Sequence, residues 1–220
     1  MLVSALPRPP QVHDLIRIDR AAFRSSDAPA WVNQRLSACP WVVVRRAQAS
    51  EGMIAVGVRG ERRSERWGGY ANQTAVEQVV EPAELLHVLR NSTEVGATPA
   101  IQRLKEVIER WQVLTLPWGP TGAVGFELAS GYRVTTPLSD LDIAIRAPER
   151  LSVEFARSLW EGVMGLQPKV DVRVETPVCG FALEEYVRTP SARILLHYAD
   201  NTRFGDDPWK APSRPLPDKS

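Results

Sequence analysis

The stretch that most constrains this chain is Ser139–Ile145, in which acidic and apolar residues alternate. Successive side chains on a β-strand point to opposite faces, so the aliphatic residues of this stretch can enter a core together. Asp140 and Asp142 then stand side by side on the other face. Two carboxylates in that position repel each other and lose water, which is costly unless a cation lies between them. Mg²⁺ suits such oxygen ligands, with waters and substrate phosphates completing its shell.

A glycine-spaced turn lies upstream of the acidic pair. Its glycines are Gly119, Gly122, Gly125 and Gly131. Glycine lets the backbone approach phosphate oxygens and direct its N–H groups at them. Taken alone, an Asp-x-Asp motif is more often a solvated pair at a strand end, and glycines more often mark turns. The order found here, with a glycine turn, a short helical segment, Ser139 and the two aspartates, favours phosphoryl or nucleotidyl transfer.

A second alternating run, Val170–Glu175, supplies further acidic residues. Its valines face one way, while Asp171, Arg173 and Glu175 face the other. If this strand neighbours the first, Asp171 completes a site of three carboxylates for two metal ions. Glu175 is the alternative third carboxylate.

The composition limits the classes of partner. Hydrophobic residues make up 44% and charged residues 24% of the 220 residues, as in a globular chain with a real core. The net charge of +1 argues against a protein built for broad binding to nucleic acid or membrane surfaces. Cys39 and Cys179 lie far apart and indicate reduced, packed thiols of a cytoplasmic protein. The sequence shows no zinc-type Cys/His spacing, no apolar signal core and no stretch of membrane-spanning length.

The hydrophobic patterns divide the chain into a β-rich first part and a mixed second part. β-branched residues predict strands at Trp41–Arg46 and Ile54–Gly60, joined by a hairpin turn. Helical spacing of apolar residues begins after Glu81, close to a predicted boundary at residues 75–82. Later elements are predicted as a helix at Ser152–Gly165, a helix at Phe181–Val187 and a last strand at Arg193–Tyr198.

The fold class that follows is α+β, with a small N-terminal mostly-β domain followed by a mixed sheet with packed helices. We predict an N-terminal substrate- or partner-binding domain at residues 1–80 and a second domain at residues 81–207. The second domain carries all the acidic site residues. Residues 208–220 are Pro-rich and polar, which predicts a loose tail.

Arginine is concentrated in the first domain, at Arg45, Arg46, Arg59, Arg62, Arg63 and Arg66. Because arginine offers phosphate a fixed fork of donors, this patch is predicted to face the phosphates of a bound substrate. Arg59, Arg62 and Arg63, next to a glycine turn, are the better candidates. The alternative is a solvated sheet edge, where charged residues prevent strand pairing. His13 beside Asp14 could orient an imidazole for acid–base chemistry, although one such pair is a weak signal.

Three long stretches of the chain read LPWGPTGAVGFELASG, TPLSDLDIAIRAP and VDVRVETPVCGFALEEY. They resemble the phosphoribosyl-dephospho-CoA transferase of malonate decarboxylase, also called malonate decarboxylase holo-acyl-carrier-protein synthase. The shorter pieces HDL, WVVVRRA and AVGVRGERRSERW resemble the first domain of the same family, so the resemblance covers residues 13–209. At superfamily level, the glycine turn, the Asp-x-Asp and the third acid resemble the polymerase-β-type nucleotidyltransferases.

This resemblance implies a nucleotidyltransferase-type mixed sheet and a specific reaction. The family transfers the 2′-(5″-phosphoribosyl)-3′-dephospho-CoA group from 2′-(5″-triphosphoribosyl)-3′-dephospho-CoA to a serine of the acyl-carrier protein subunit of malonate decarboxylase. A phosphodiester forms and pyrophosphate leaves. Asp140 and Asp142 match the catalytic pair, and Asp171 matches the third carboxylate by its position on the following strand. All three are implied ligands of Mg²⁺.

The predicted substrate-binding residues are Gly122, Ala123, Gly125, Ser139, Arg59 and Arg63. The superfamily turn usually carries Gly-Ser where this chain has Gly122-Ala123, so its backbone N–H groups and Thr121 are left to bind the triphosphate. Two alternatives remain open: a nucleotidyltransferase that modifies RNA or another protein, and a non-catalytic nucleotide-binding module of the same fold. The retained acids argue against the second, and the lack of a basic stripe with interleaved aromatics argues against RNA.

Overall fold

The computed structural model describes residues 8–21, 23, 27–60, 62, 65–91, 98–188 and 193–211, which form two β-sheets and six α-helices. The strands are β1 (Leu15–Ile18), β2 (Trp41–Val44), β3 (Met53–Arg59), β4 (Arg66–Asn72), β5 (Val76–Val80), β6 (Trp118–Pro120), β7 (Leu141–Arg146), β8 (Val170–Glu175), β9 (Gly180–Ala182), β10 (Ile194–His197) and β11 (Thr202–Gly205). The helices are α1 (Ala30–Ala38), α2 (Leu85–Asn91), α3 (Pro99–Arg110), α4 (Gly122–Ser130), α5 (Val153–Glu161) and α6 (Leu183–Arg188).

The first sheet is antiparallel, with strand order β4-β3-β2-β1-β5. Alternate residues of its strands fill a small core, and Val32 and Leu36 of α1 close that core on one face. Val56, at the centre of β3, is fully buried there. The aliphatic, β-branched residues of these strands explain why this part of the chain folds as a sheet.

The second sheet is mixed, with strand order β11-β10-β9-β8-β7-β6. Its strands β7 and β8 are parallel neighbours, and α5 makes the crossover between them. Ser152 begins α5 as its N-cap, because its hydroxyl accepts a hydrogen bond from the backbone N–H of Phe155. Ile143 and Ile145 of β7 are fully buried, so the opposite face of β7 carries the acidic residues.

The two sheets share part of one hydrophobic core. Leu15 and Trp41 lie on the face of the first sheet opposite its own small core, and they pack among the buried residues of the second sheet. Val43, the register partner of Leu15, packs against the same cluster. One face of the first sheet is therefore turned toward the second sheet and the helices that cover it.

Most sequence predictions of elements are confirmed, including the α+β class, strands β2 and β3, and the helix beginning at Ser152. Two predictions near the end of the chain are wrong. The predicted helix at Phe181–Val187 starts only at Leu183, because Gly180–Ala182 pairs with β8 as strand β9. The predicted last strand at Arg193–Tyr198 is followed by β11, which pairs with it along its whole length.

Residues 208 and 209, which the sequence assigned to a loose tail, pack against the second sheet. Pro208 is buried and its carbonyl accepts a hydrogen bond of 2.8 Å from Thr176 Oγ1. The Trp209 indole donates to the carbonyl of Ala147 at 2.9 Å and lies edge-on to Phe181. No helix in the described part of the chain is both long enough and apolar enough to cross a membrane.

Candidate active site

Strands β7 and β8 bring two of the predicted acids together. Asp142 and Asp171 are register partners on these parallel strands, so their side chains leave the same face at neighbouring positions. Asp140 lies just before β7, two residues from Asp142, and its negative charge acts on Asp142. The alternation that buries the aliphatic residues of β7 thus presents the carboxylates on the open face.

The charge environment of Asp142 is unfavourable for a carboxylate. Burial raises the pKa of Asp142, and the negative charges of Asp171 and Asp140 raise it further. Arg59 and His13, both from the first domain, lie close enough for their positive charges to lower it in part. A side chain that is crowded by like charges on a partly buried face is a strong attractor for a cation.

Helix α4 begins directly at this carboxylate. The backbone N–H of Thr121 donates to the carbonyl of Asp142 at 2.8 Å, and Gly122 is the first residue of the helix. Thr121 makes no side-chain cap, so the first N–H groups of α4 are not satisfied by a capping hydroxyl. These groups and the positive end of the helix dipole lie beside Asp142, where they can receive phosphate oxygens.

Gly122 is required at this junction for two separate reasons. Its φ of +57° lies in the left-handed region. A Cβ on Gly122 would lie 2.0 Å from Oδ2 of Asp142. The glycine therefore lets the start of the helix and the carboxylate occupy neighbouring space.

Replacing Gly122 by alanine is expected to lower the catalytic rate about 100-fold, because the Asp142 carboxylate must turn away from the new methyl group. Gly131→Ala is the matched control, since Gly131 ends the same helix at φ +70° and has nothing within 4 Å of an added Cβ. Both variants should lose about 1–2 kcal/mol of unfolding free energy in urea. Equal losses of activity in the two variants would contradict a role for Gly122 at the site.

The other predicted phosphate-binding residues of this segment lie close by but have different surroundings. Gly125 is buried in α4, where its N–H donates to the carbonyl of Thr121 and an added Cβ would lie 2.5 Å from the carbonyl oxygen of Pro120. That geometry indicates packing rather than direct phosphate binding. Ala123 is in the first turn of α4 and is partly exposed. Ser139 accepts a hydrogen bond from the N–H of Thr136 at 2.9 Å and shapes the turn that leads into β7.

Asp171 has a basic neighbour that the sequence analysis did not single out. The ammonium group of Lys169 lies 2.5 Å from Oδ1 of Asp171, and this contact raises the pKa of the lysine. Both side chains are about half exposed, so the pair is open to exchange with other ions. Asp142, Asp171 and Arg173 also line a cavity of about 230 Å³, together with Trp160 and Glu184. Lys169 and Arg173 could have been flagged from the sequence, because each lies two residues from Asp171 on the same strand face.

Glu175, the alternative third carboxylate, lies at the far end of β8. Its register partner is Arg146, not Asp142. Its carboxylate contacts His13 Nε2 at 2.9 Å and is ion-paired with Arg46. Burial alone would raise the pKa of Glu175, but the contacts with His13 and Arg46 hold it below its ordinary value. Glu175 thus links β8 to His13 and Arg46, two residues that flank the first sheet's strands β1 and β2.

His13 and Asp14 join the first sheet to the C-terminal ends of β8 and β7. His13 holds Glu175 on β8, while Asp14 is fully buried and contacts Arg146 on β7 at 2.5 Å. The φ of His13 is +71°, an uncommon value for a residue with a side chain. This backbone lets two adjacent side chains reach two adjacent strands. In the structure, His13 and Asp14 therefore contact Glu175 and Arg146 of the second sheet.

Arg59 is the predicted arginine that the structure brings toward the site. It ends β3 on the face turned to the second domain, and its charge acts on Asp142. Arg63, the other predicted residue, lies outside the described residues. Among the described residues, no three His, Cys, Asp or Glu side chains already stand together as a complete metal-binding set.

The donor chemistry nevertheless fits Mg²⁺. This ion is commonly held by one or two carboxylates, with substrate phosphates and waters in the remaining positions. Asp142 supplies a crowded carboxylate at the start of α4, and Asp140 and Asp171 add negative charge at the same place. A site of this kind is completed by its substrate rather than by protein side chains alone.

Comparison with known proteins covers both parts of the chain. Residues 11–82 match the family described as phosphoribosyl-dephospho-CoA transferase MdcG N-terminal domain. Residues 85–208 match the family described as phosphoribosyl-dephospho-CoA transferase MdcG C-terminal domain. No solved structure matches the chain.

Relatives named phosphoribosyl-dephospho-CoA transferase align over nearly their whole length. One from Pseudomonas fluorescens strain Pf-5 is 38% identical over 197 residues, which are 90% of this chain and 92% of the relative. One from Pseudomonas putida strain W619 is 38% identical over 202 residues, or 91% and 95% of the two chains. One from Klebsiella pneumoniae is 35% identical over 209 residues, or 94% and 98%.

Proposed function

The chain belongs to the phosphoribosyl-dephospho-CoA transferase family, and we propose that its acceptor is a serine of the malonate decarboxylase acyl-carrier protein. The group transferred is 2′-(5″-phosphoribosyl)-3′-dephospho-CoA, donated by its 5″-triphosphate precursor. The serine oxygen forms a bond to the α-phosphorus, the bond from that phosphorus to pyrophosphate breaks, and a phosphodiester results. The serine proton leaves to a carboxylate or to water.

The observation that carries this proposal is the position of Asp142. It lies beside Asp171, in the field of Asp140, and directly against the uncapped start of α4. Carboxylates for a divalent cation and N–H groups for phosphate oxygens are the two components that phosphoryl transfer needs in one place. The retained acids and the family match disfavour a non-catalytic module of the same fold.

Asp142 and Asp140 would hold Mg²⁺, and Asp171 would complete its protein ligands. When bound, the ion would neutralise charge on the phosphates and lower the pKa of a coordinated oxygen. The first N–H groups of α4 would orient the triphosphate, and Arg59 would face the departing pyrophosphate from the first domain. Asp171, held near Lys169, can accept the serine proton as the new bond forms.

Mass spectrometry of the carrier protein tests the proposal directly. The carrier is incubated with the triphosphate precursor, Mg²⁺ and the enzyme, and the modified residue is located by peptide mapping. We expect a mass increase equal to the transferred group on one serine, together with release of one pyrophosphate. An unmodified carrier, or modification equally rapid with an ordinary nucleoside triphosphate, would refute the assignment.

Asp171→Asn is expected to lower the transfer rate about 100-fold, whereas Glu175→Gln should leave the rate within a few-fold of wild type. The reason is position, because Asp171 is beside Asp142 and Glu175 is committed to His13 and Arg46. Single-turnover rates of carrier modification measure the difference. If Glu175→Gln lost most of its transfer rate and Asp171→Asn kept the wild-type rate, Glu175 would be the third carboxylate instead of Asp171.

Glu175→Gln should instead reveal itself in stability. A carboxylate whose folded-state pKa is lowered contributes stability above its unfolded pKa, of about 4.3, and loses it as pH falls through the folded pKa. Wild type should therefore be more stable than Glu175→Gln at pH 7, and the difference should shrink below about pH 4. Urea unfolding across this range measures it, and a difference that does not change with pH would contradict the ion-pair account.

A further inference from the structure

Arg45 lies flat on the first sheet in a place that two glycines keep open. Its Nε donates to the carbonyl of Val56 at 2.9 Å. A Cβ on Gly68 would lie 2.5 Å from Cζ of Arg45, and one on Gly57 would lie 3.0 Å from its Cδ. Gly57 and Gly68 are register partners on β3 and β4. The guanidinium group therefore occupies the space that two side chains would otherwise fill.

This seat is on the face of the sheet that is turned to the second domain. Gly57 is the register partner of Val43, and Val43 packs against the core of the second sheet. Side chains at paired positions share a face, so Arg45 on Gly57 and Gly68 lies on that face too. Arg59 lies two residues after Gly57 on β3. Its positive charge partly offsets the upward shift in the pKa of Asp142.

Arg59 and Arg66 are themselves register partners, and they follow the glycine pair on the same face. Positions two residues apart on a strand are separated by about 7 Å, so Arg59 and Arg66 begin about 7 Å from the glycine pair under Arg45, within reach of one diphosphate for three long side chains. All three arginines are exposed. Within the described ranges none of the three forms an ion pair, and Nη1 and Nη2 of Arg45 have no hydrogen-bond partner.

We propose that Arg45, seated on Gly57 and Gly68, forms a diphosphate-binding site with Arg59 and Arg66. The bond from Nε to Val56 fixes the guanidinium plane and leaves its outer donors for a bidentate contact with phosphate oxygens. This inference rests on the proposed function for its ligand. Two parts of the proposed substrate contain a diphosphate that could bind here: the pyrophosphate that leaves, and the internal diphosphate of the dephospho-CoA moiety.

Gly68→Ala and Arg45→Gln test the site in complementary ways. The alanine methyl group displaces the guanidinium without removing a charge, whereas the glutamine removes the charge. Calorimetric titration of each full-length variant with pyrophosphate plus Mg²⁺, and separately with dephospho-CoA, reports binding without any need for transfer. We expect each variant to bind one of these two ligands about tenfold or more weakly than wild type does. The ligand affected identifies which diphosphate occupies the site.

The double variant supplies the control. If Gly68 acts only by making room for Arg45, then adding Gly68→Ala to Arg45→Gln should weaken binding no further. Arg193 is an exposed arginine just before β10, at the β10–β11 edge of the second sheet. The Arg193→Gln variant should bind both ligands like wild type. Unchanged affinity of Arg45→Gln for both ligands would overturn the inference while leaving transfer intact. The opposite result is also possible, in which Arg45→Gln loses affinity for pyrophosphate but wild type modifies no carrier. That result would support the site and refute the proposed function.

Discussion

Replacing Asp142 by asparagine is expected to reduce carrier modification by about 1000-fold or more while the protein remains folded. Asparagine keeps the shape of the side chain and removes the negative charge that is crowded between Asp140 and Asp171. The proposed Mg²⁺ site beside the substrate phosphates then loses one of its carboxylates. Single-turnover mass spectrometry of the carrier measures the rate. Asp200→Asn, an exposed aspartate in the turn before β11, is the control and should transfer at the wild-type rate.

The same substitution should not destabilise the fold. A carboxyl whose folded-state pKa is raised contributes stability that is fully present below its unfolded pKa, of about 3.9, and is lost as pH rises through the folded pKa. Without added Mg²⁺, Asp142→Asn should therefore become more stable relative to wild type as pH rises above about 4. Urea unfolding at several pH values checks this sign. A variant that loses both activity and stability at pH 7 would indicate a structural role for Asp142 instead.

The opposite signs of these two effects distinguish a functional residue from a packing residue. Ile143, the neighbour of Asp142 on β7, is fully buried in the core, and its loss would be expected to harm folding first. Asp142 is the reverse case, since the fold tolerates its charge at a cost and the proposed chemistry needs it. A strand with one aliphatic and one acidic face holds both kinds of residue within one short segment.

Local periodicity was sufficient to predict that Asp142 leaves β7 on the face opposite Ile143, because side-chain alternation on a strand is a property of the strand itself. The choice between Asp171 and Glu175 could not be made in that way. It depends on the register between β7 and β8, which are joined through α5, and only that register sets Asp171 beside Asp142. Strand β9 shows the same limit, since Phe181 and Ala182 were predicted as the start of a helix but pair with β8 in the folded sheet.

Contacts between the two sheets were further from the reach of sequence patterns. Arg59 could be selected as one basic residue among several, but its effect on Asp142 depends on how the first sheet packs against the second. In the sequence, nothing distinguished Arg45 from the other arginines of this patch. Its seat on Gly57 and Gly68 appears only when β3 and β4 are paired. The same is true of His13 and Asp14, whose partners come from β8 and β7.

Asp14→Ala is expected to lower the free energy of unfolding by about 3–5 kcal/mol, the largest stability effect that this structure predicts. The Asp14 side chain is fully buried, and it contacts Arg8 at 2.6 Å and Arg146 at 2.5 Å. Its carboxylate also accepts the N–H of Gln11 at 2.8 Å. Among the described residues, removing it leaves Glu81 as the one acidic side chain that contacts both guanidinium groups. Urea unfolding at pH 7 measures the loss.

A double-mutant cycle separates the ion pair from simple packing. Arg146→Met removes the partner on β7, and the combined Asp14→Ala and Arg146→Met variant should be less destabilised than the sum of the single changes, because no buried charge is left unpaired. Additive losses, or a loss below about 1 kcal/mol for Asp14→Ala, would show that the pair is screened by solvent.

The Asp14 contact should also matter for the reaction, because it ties β1 to the strand that carries Asp142. Without it, the face of the first sheet that bears Arg59 is held less firmly opposite the carboxylates. We therefore expect Asp14→Ala to raise the KM for the triphosphate precursor more than it lowers kcat, measured at a temperature where the variant is fully folded. An unchanged KM in a folded Asp14→Ala variant would mean that the hydrophobic contacts of Leu15 and Trp41, with the contacts of Glu175 to His13 and Arg46, position the first sheet without Asp14.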